Sequence, residues 1–319
     1  MNSKLLLNWQ IFKASVQVTF RHPKLLWFPV LTTLFTAIIA LFFLAVIFMP
    51  VTLMPNGYPL SDVEHWKTVV GNFHTAWNQP HDHAAAGNQA PVNALPGGMF
   101  YLLPLYFLSM FLATFFNVAF YNEIIAALNG RGVSFRRGLG VARSRLLSIL
   151  AWSLMAGLVG WLIQALQQRL PFVGKIVTAV IGIAWSVATV FAIPVIIQEE
   201  RTRNPLKILQ QSAATLKRTW GEGLVGYVGF SAVNLAIFVV WAVPLVLVCY
   251  LANYFHIKSF WLGLTLGVIW VGGLLMMSYV SRVARHVYQC ALYVYAAEGV
   301  VPESYNEELL DKAWRVKNS

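Results

Sequence analysis

Few side chains in this 319-residue chain could do chemistry, and the densest set lies in the stretch 50–99: His65, His74, His81, Asp82 and His83. In extended chain His81 and His83 point the same way, a spacing that suits two imidazoles holding a transition metal. His65 and His74 give that pair no support. They fall on opposite sides of a helix whose apolar face is Val63, Trp66, Val70, Phe73 and Trp77, and Pro80 ends that helix before the linker AAAGNQAPVNALPGG. A second group of ionisable residues closes apolar runs: Glu123 ends NVAFYNE, Glu199 and Glu200 end AIPVIIQEE, and His286 follows the last run. Gathered around a pocket, Glu123, Glu199 and His286 would suit acid–base chemistry at a membrane surface. A carboxylate at that depth also suits a simpler role, pairing with neighbouring arginines. The chain has no HExxH, no GxSxG, no Walker lysine loop and no GxGxxG before a helix. The expectation is no enzyme, no cofactor and no metal centre, with His81 and His83 the candidates should a metal be held.

The elements that position these residues follow from the distribution of charge. Only 11% of the residues are charged and 58% are hydrophobic, against about 25% charged in a typical soluble domain. Uncharged stretches of 37, 40, 23, 23, 35 and 23 residues separate Lys24 from Asp62, Asp82 from Glu123, Arg145 from Arg169, Lys175 from Glu199, Glu222 from Lys258, and Lys258 from Arg282. About 20 apolar residues cross a hydrocarbon core roughly 30 Å thick. The chain is therefore expected to be all-α, a six-span transmembrane bundle with spans near 27–49, 100–122, 146–166, 176–198, 224–251 and 260–281. Residues 50–99 form an extracytoplasmic loop and 282–319 a cytoplasmic C-terminal segment. A soluble enzyme, a disulfide scaffold and a β-barrel are excluded. Cys249 and Cys290 are 41 residues apart and read as ordinary thiols. The first apolar run, Trp27 to Met49, is too long for a cleavable signal.

The net charge of +11 is an orientation code and not a nucleic-acid footprint. Alternate segments between the spans carry 19 and 4 of the 23 Lys and Arg residues. Because basic segments are retained in the cytoplasm, both termini are expected there, in a bacterial inner membrane.

Each basic segment leading into an odd-numbered span is amphipathic. Between Asn204 and Gly221, Asn204 caps, Pro205 takes the first helical position, and Leu206, Leu209, Ala213, Leu216 and Trp220 share a face opposite Lys207, Gln211 and Arg218. Leu5, Trp9, Phe12, Val16 and Phe20 repeat the pattern before the first span, beside Lys4 and Lys13. Ser134 to Arg145 repeats it before the third, with Phe135, Leu139, Ala142 and Leu146 set against Arg136, Arg137, Arg143 and Arg145. Such helices lie on a membrane surface and meet anionic inner-leaflet lipids through Arg136, Arg137, Arg143, Lys207 and Arg218. The coarse unit of surface helix, span, outer loop and span is used three times, as parallel hairpin repeats.

No ionisable residue lies well inside a span, which argues against an ion-coupled pump. Asn117, Gln164 and Asn234 remain as interhelical hydrogen-bond donors or as the lining of a polar path. Gly263 and Gly267 form a GxxxG suited to close helix approach, and Pro104, Pro194 and Pro244 each free a carbonyl that a neighbour must satisfy.

Five stretches carry a family likeness: FRHPKLLWFPVL at Phe20 to Leu31, FFNVAFYNE at Phe115 to Glu123, AIPVIIQEE at Ala192 to Glu200, SAATLKRTWGE at Ser212 to Glu222, and ALYVYAAEGVVP at Ala291 to Pro302. Together they resemble a family of bacterial integral membrane proteins of unknown function, distantly similar to the membrane domain found beside some glycerophosphodiester phosphodiesterases. The resemblance implies a polytopic α-helical inner-membrane protein and transfers no catalytic residue.

Three functions fit: a non-enzymatic protein that organises or assists membrane components through its cytoplasmic surface helices, a permease or channel for a small solute or lipid, and a lipid-handling enzyme. The expected partners are the bilayer, its anionic lipids and another protein, not nucleic acid. The topology predicts that reporters fused after Asn88 and Asn318 fall on opposite sides of the membrane. Finding both on one side overturns it.

Overall fold

The computed structural model describes residues 3–52, 94–169, 172–199, 202–218, 235–244, 246–247, 250, 260–302 and 305. These residues are helical, with no strand among them. The helices are α1 (Ser3–Arg21), α2 (Trp27–Thr52), α3 (Ala94–Leu128), α4 (Phe135–Ser144), α5 (Leu146–Arg169), α6 (Phe172–Ala188), α7 (Ala192–Gln198), α8 (Pro205–Arg218), α9 (Leu235–Pro244) and α10 (Phe260–Glu298), with a 3-10 turn, Pro23–Leu26, between α1 and α2. His65, His74, His81 and His83 lie outside the described residues, as does Asn234.

Five stretches are long and apolar enough to cross a membrane: Pro23–Phe42, Leu103–Leu128, Leu146–Gln167, Ile176–Gln198 and Leu264–Glu298. The sixth expected span, 224–251, is represented by the shorter apolar helix α9, with much of the rest outside the described residues. Two helices outrun their expected spans. α3 and α10 continue without a break past 122 and 281, to Leu128 and Glu298. Each stops where a glycine takes positive φ. Gly130 (φ 71°) follows α3, with Arg131 N–H bonded to Ala126 O at 2.8 Å and Gly130 N–H to Ala127 O at 3.2 Å, the paired bonds of a Schellman stop. Gly299 (φ 68°) ends α10 with a single bond to Tyr295 O at 3.0 Å.

The chain divides into two compact units, one of Met1–Thr32 with Thr114–Ser319 and the other of Thr33–Ala113. In the second unit, Leu34, Ile38, Leu41 and Phe42 of α2 and Leu103 and Leu108 of α3 stand exposed. Apolar side chains turned outward along a span belong in hydrocarbon, not water. In the first unit the same holds for Leu158 and Trp161 of α5, Val180 and Ile183 of α6, and Val268 and Leu275 of α10.

The buried core of the first unit lies elsewhere, in the connector helices and in the segments of α3 and α10 beyond their expected span ends. Ile11 and Val18 of α1, Ile124 and Leu128 of α3, Ile149 of α5, Ile196 of α7, Ile208 of α8, and Val283, Val287 and Tyr288 of α10 are all buried. α1 packs along α10, and α8 packs against α5, α6, α7 and α10. The connectors are therefore built into the bundle.

This corrects the phase of the amphipathic faces. α1 buries Ile11, Phe12, Ser15, Val18 and Thr19, leaving Trp9 and Phe20 at 47% and 57% exposure. α8 buries Ile208, Ser212 and Leu216, while Leu206 is 58% exposed. In α4 the buried residues are Gly138 and Ala142, and Leu139 is exposed. Each helix has one apolar stripe against protein and other apolar residues facing outward. Periodicity finds both without saying which is which. The cap at Asn204 forms as expected, its Oδ1 accepting from Leu206 N–H at 2.9 Å.

The glycine contacts also move. A Cβ at Gly267 would meet nothing within 4 Å, so this half of the GxxxG receives no close neighbour among the described residues. Gly273 does, against Trp241 of α9, where a Cβ would come within 2.4 Å of Cζ2. Trp241 and Trp270 fix this contact by each donating an indole N–H to the other's carbonyl, at 3.4 and 3.1 Å. Gly138 of α4 is tighter in kind: its Cβ would lie 2.8 Å from Ala119 O and 2.9 Å from Glu123 Cγ. Backbone cannot step aside as a flexible side chain can. Gly138→Ala is expected to lower stability by about 1–3 kcal/mol, read as earlier thermal unfolding of the full chain in detergent, whereas Gly140→Ala, where a Cβ meets nothing within 4 Å, leaves unfolding unchanged.

Candidate functional site

The polar side chains of the first unit are grouped where α3, α4, the α6–α7 break, α8 and α10 meet. Each group answers a local problem set by the backbone.

The first problem is Glu123, one turn and a half before α3 ends, with none of its side chain exposed. An ionised carboxylate removed from water needs donors. Glu123 has four: Oε1 accepts from Arg137 Nε at 2.9 Å and Asn122 Nδ2 at 3.0 Å, and Oε2 accepts from Arg137 Nη2 at 2.5 Å and the Ser134 N–H at 2.7 Å. The fork of Arg137 binds both oxygens, the strongest geometry for this pair, and Nη2 also donates to Gly132 O at 2.7 Å. Glu123 thereby fixes the turn between α3 and α4. The absence of a side chain at Gly138 is what lets α4 lie over it. Arg137, expected on the membrane surface, is instead held inward by this carboxylate.

The second problem is Pro194. A proline has no N–H, so the carbonyl four residues before it, Val190 O, loses its helical donor. Gln289 of α10 supplies one through Nε2. The chain also breaks at residues 189–191, which strands Ala188 O and Phe191 N–H. Ser212 of α8 satisfies both, its hydroxyl donating to Ala188 O at 2.6 Å and accepting from Phe191 N–H at 3.0 Å. The expected fourth span is thus two helices, stitched at the break by side chains from α8 and α10.

Gln289 also extends the network. Its Oε1 accepts from the Tyr121 hydroxyl at 2.8 Å, and Tyr121 Oη lies 2.7 Å from His286 Nδ1. Tyrosine has one hydroxyl hydrogen, and it goes to Gln289. His286 must then carry its proton on Nδ1 and donate to Tyr121, which leaves Nε2 as an acceptor. The imidazole is held further by edge contacts with the rings of Phe120 and Tyr121.

Two further links hold the first unit together. Arg145, buried at the start of α5, donates to Ile197 O at 3.2 Å at the end of α7. Ser15 of α1 donates to Ile11 O at 2.9 Å and so accepts from the Tyr305 hydroxyl at 2.7 Å. Burial raises the Tyr305 pKa, with the Ser15 bond opposing the rise, so the phenol stays a donor.

Glu123, Glu199 and His286 do not form the shared cluster an interfacial acid–base site would need. Glu199 accepts from Thr202 Oγ1 at 2.8 Å and Gln211 Nε2 at 2.7 Å, where α7 meets α8. The three have separate partners. Among the polar-path candidates, Gln164 is exposed on α5 and Asn117 half-buried on α3, and no hydrogen bond joins them among the described residues. Arg136, Arg143, Lys207 and Arg218 are exposed. No group of three or more His, Cys, Asp or Glu able to hold a metal occurs among the described residues. Sequence reasoning missed Ser212, Gln289 and Tyr121. Pro194 was the signal for Gln289, because a freed carbonyl implies a donor somewhere.

An all-helical chain with five membrane-length apolar helices and polar groups spent on its own backbone is an integral membrane protein. Residues 97–302 match the model of a family of unknown function, DUF6159, and the chain belongs to that family. The match takes in Tyr121, Glu123, Arg137, Gly138, Ser212, His286 and Gln289. Comparison with the curated proteins and with the solved structures finds no match.

Arg137→Met leaves a buried carboxylate short of two donors, and is expected to cost about 3 kcal/mol. Glu123→Gln is expected to cost less, because the freed guanidinium, 38% exposed, can turn to water. The order of unfolding temperatures, wild type above Glu123→Gln above Arg137→Met, checks the pair.

Proposed function

We propose that this protein is a non-enzymatic, six-span inner-membrane protein that organises or assists other membrane components, with both termini cytoplasmic and its connector helices resting on the anionic inner leaflet. The observation that carries this reading is the mismatch between acids and bases. The described carboxylates all have partners within the protein: buried Glu123 has Arg137, and exposed Glu199 and Glu298 have Thr202 with Gln211 and Gln198. Arg136, Arg143, Arg203, Lys207, Lys217 and Arg218 are exposed and have no side-chain hydrogen bond or ion pair among the described residues. Basic side chains near an anionic leaflet contribute about 1 kcal/mol each.

Two features support a scaffold over a catalyst. The inward-facing polar groups satisfy breaks in the backbone, and the buried carboxylate, Glu123, is saturated with donors.

Crosslinked co-purification from native membranes, with lipid analysis, tests the reading. The wild-type protein is expected to retain anionic lipid and a protein partner. A variant combining Arg136→Glu, Arg143→Glu, Lys207→Glu and Arg218→Glu should retain several-fold less anionic lipid while unfolding at the same temperature. A lipid-poor, partner-free particle that moves solute across liposomes overturns it.

A further inference from the structure

We propose that the turn of α10 carrying Arg282 and His286 binds the headgroup of a phospholipid that offers both a phosphate and a free hydroxyl, of the phosphatidylglycerol type. α10 exposes large apolar side chains as far as Leu275 and Met276 and is buried from Val283 onward. From Leu264 to Ser281 the helix rises about 27 Å, close to the thickness of a hydrocarbon core. Arg282 is therefore at headgroup depth. It is exposed and has no hydrogen bond or ion pair among the described residues. One turn earlier, Tyr279 donates to Leu26 O, and the next residue, Trp27, is exposed, an aromatic placed as interfacial anchors are.

One turn later on the same face stands His286, half-buried, about 6 Å along the axis from Arg282. Its Nδ1 faces Tyr121, Gln289 also bonds the imidazole, and no hydrogen bond to Nε2 occurs among the described residues. The turn thus presents a cation for a phosphate and, at about the length of a headgroup, an acceptor for a hydroxyl. An ammonium would also donate to Nε2, but Arg282 and Arg285 both act on this imidazole electrostatically and repel a cation there. That selects glycerol over ethanolamine.

The inference narrows the anionic-surface reading to one lipid and one site, and can fail separately from it. The full chain, purified in detergent and stripped of lipid, is titrated with short-chain phosphatidylglycerol, phosphatidic acid of the same chain length, and glycerol phosphate. Charge alone favours phosphatidic acid, so tighter binding of phosphatidylglycerol, by about tenfold for one hydrogen bond to a part-buried acceptor, is the signature. Arg282→Gln should weaken both lipids. His286→Phe, which keeps an aromatic ring against Phe120, should abolish the preference and spare phosphatidic acid. Tyr121→Phe, which frees the tautomer, should reduce the preference, and covers the case in which the His286 variant fails to fold. Equal binding of the two lipids by the wild type, binding of glycerol phosphate as tight as that of the lipid, or an indifferent Arg282→Gln overturns the site. Any of these leaves the surface reading standing if the four-charge variant still loses anionic lipid.

Discussion

A polar group that cannot reach water must find its partner inside the protein, and this constraint organises the molecule. Glu123 has no exposed surface and is met by four donors. The carbonyls freed near Pro194 are met by Gln289 and Ser212. Each solution pulls in a side chain from a different helix. α3 is joined to α4 by an ion pair, and α8 and α10 are joined to the α6–α7 break by hydrogen bonds to the backbone. Removing the ion pair would free α4, and with it the close packing at Gly138. In water such bonds contribute modestly because solvent competes for them. Here a broken bond has no substitute, so geometry is enforced even where net energy is small.

The same constraint separates two kinds of surface. Long stretches of α2, α5, α6 and α10 turn leucine, valine and phenylalanine outward, where hydrocarbon accepts them. The interior is reserved for the connectors and for the helix segments they grip. This is the reverse of a soluble domain, in which amphipathic connectors would lie outermost. Among the described residues, Glu123, Glu199 and Glu298 are partnered by neighbours in the fold, while many bases face outward.

Much of this was legible from sequence. Charge-free stretches located five membrane-length apolar helices, Asn204 and Pro205 marked a helix start that the Leu206 N–H bond realises, and the depth of Glu123 pointed to an arginine. Other features were not, for physical reasons. α1 carries Ile11, Phe12 and Val18 toward α10 and Trp9 and Phe20 away from it. Protein and lipid are both apolar, so hydrophobic period cannot distinguish the stripe that meets one from the stripe that meets the other. Gly267 sits in a recognised packing motif and meets no close neighbour among the described residues, while Gly273, outside that motif, receives Trp241. Close approach depends on what the facing helix brings, which a single-helix pattern does not contain. Ser212 and Gln289 look like ordinary polar residues until the break they satisfy is seen.

The length of α10 has a mechanical consequence. Its 39 residues contain no proline and run from Phe260 to Glu298 as one rod, about 58 Å long and nearly twice the hydrocarbon thickness. Half of that rod lies among exposed apolar side chains, and half is clamped by α1 and α8. A stiff lever with one arm in lipid and the other in a packed core transmits angle. The angle of the lipid-facing arm is thus coupled, through one unbroken helix, to Gln289 and the helix break it holds.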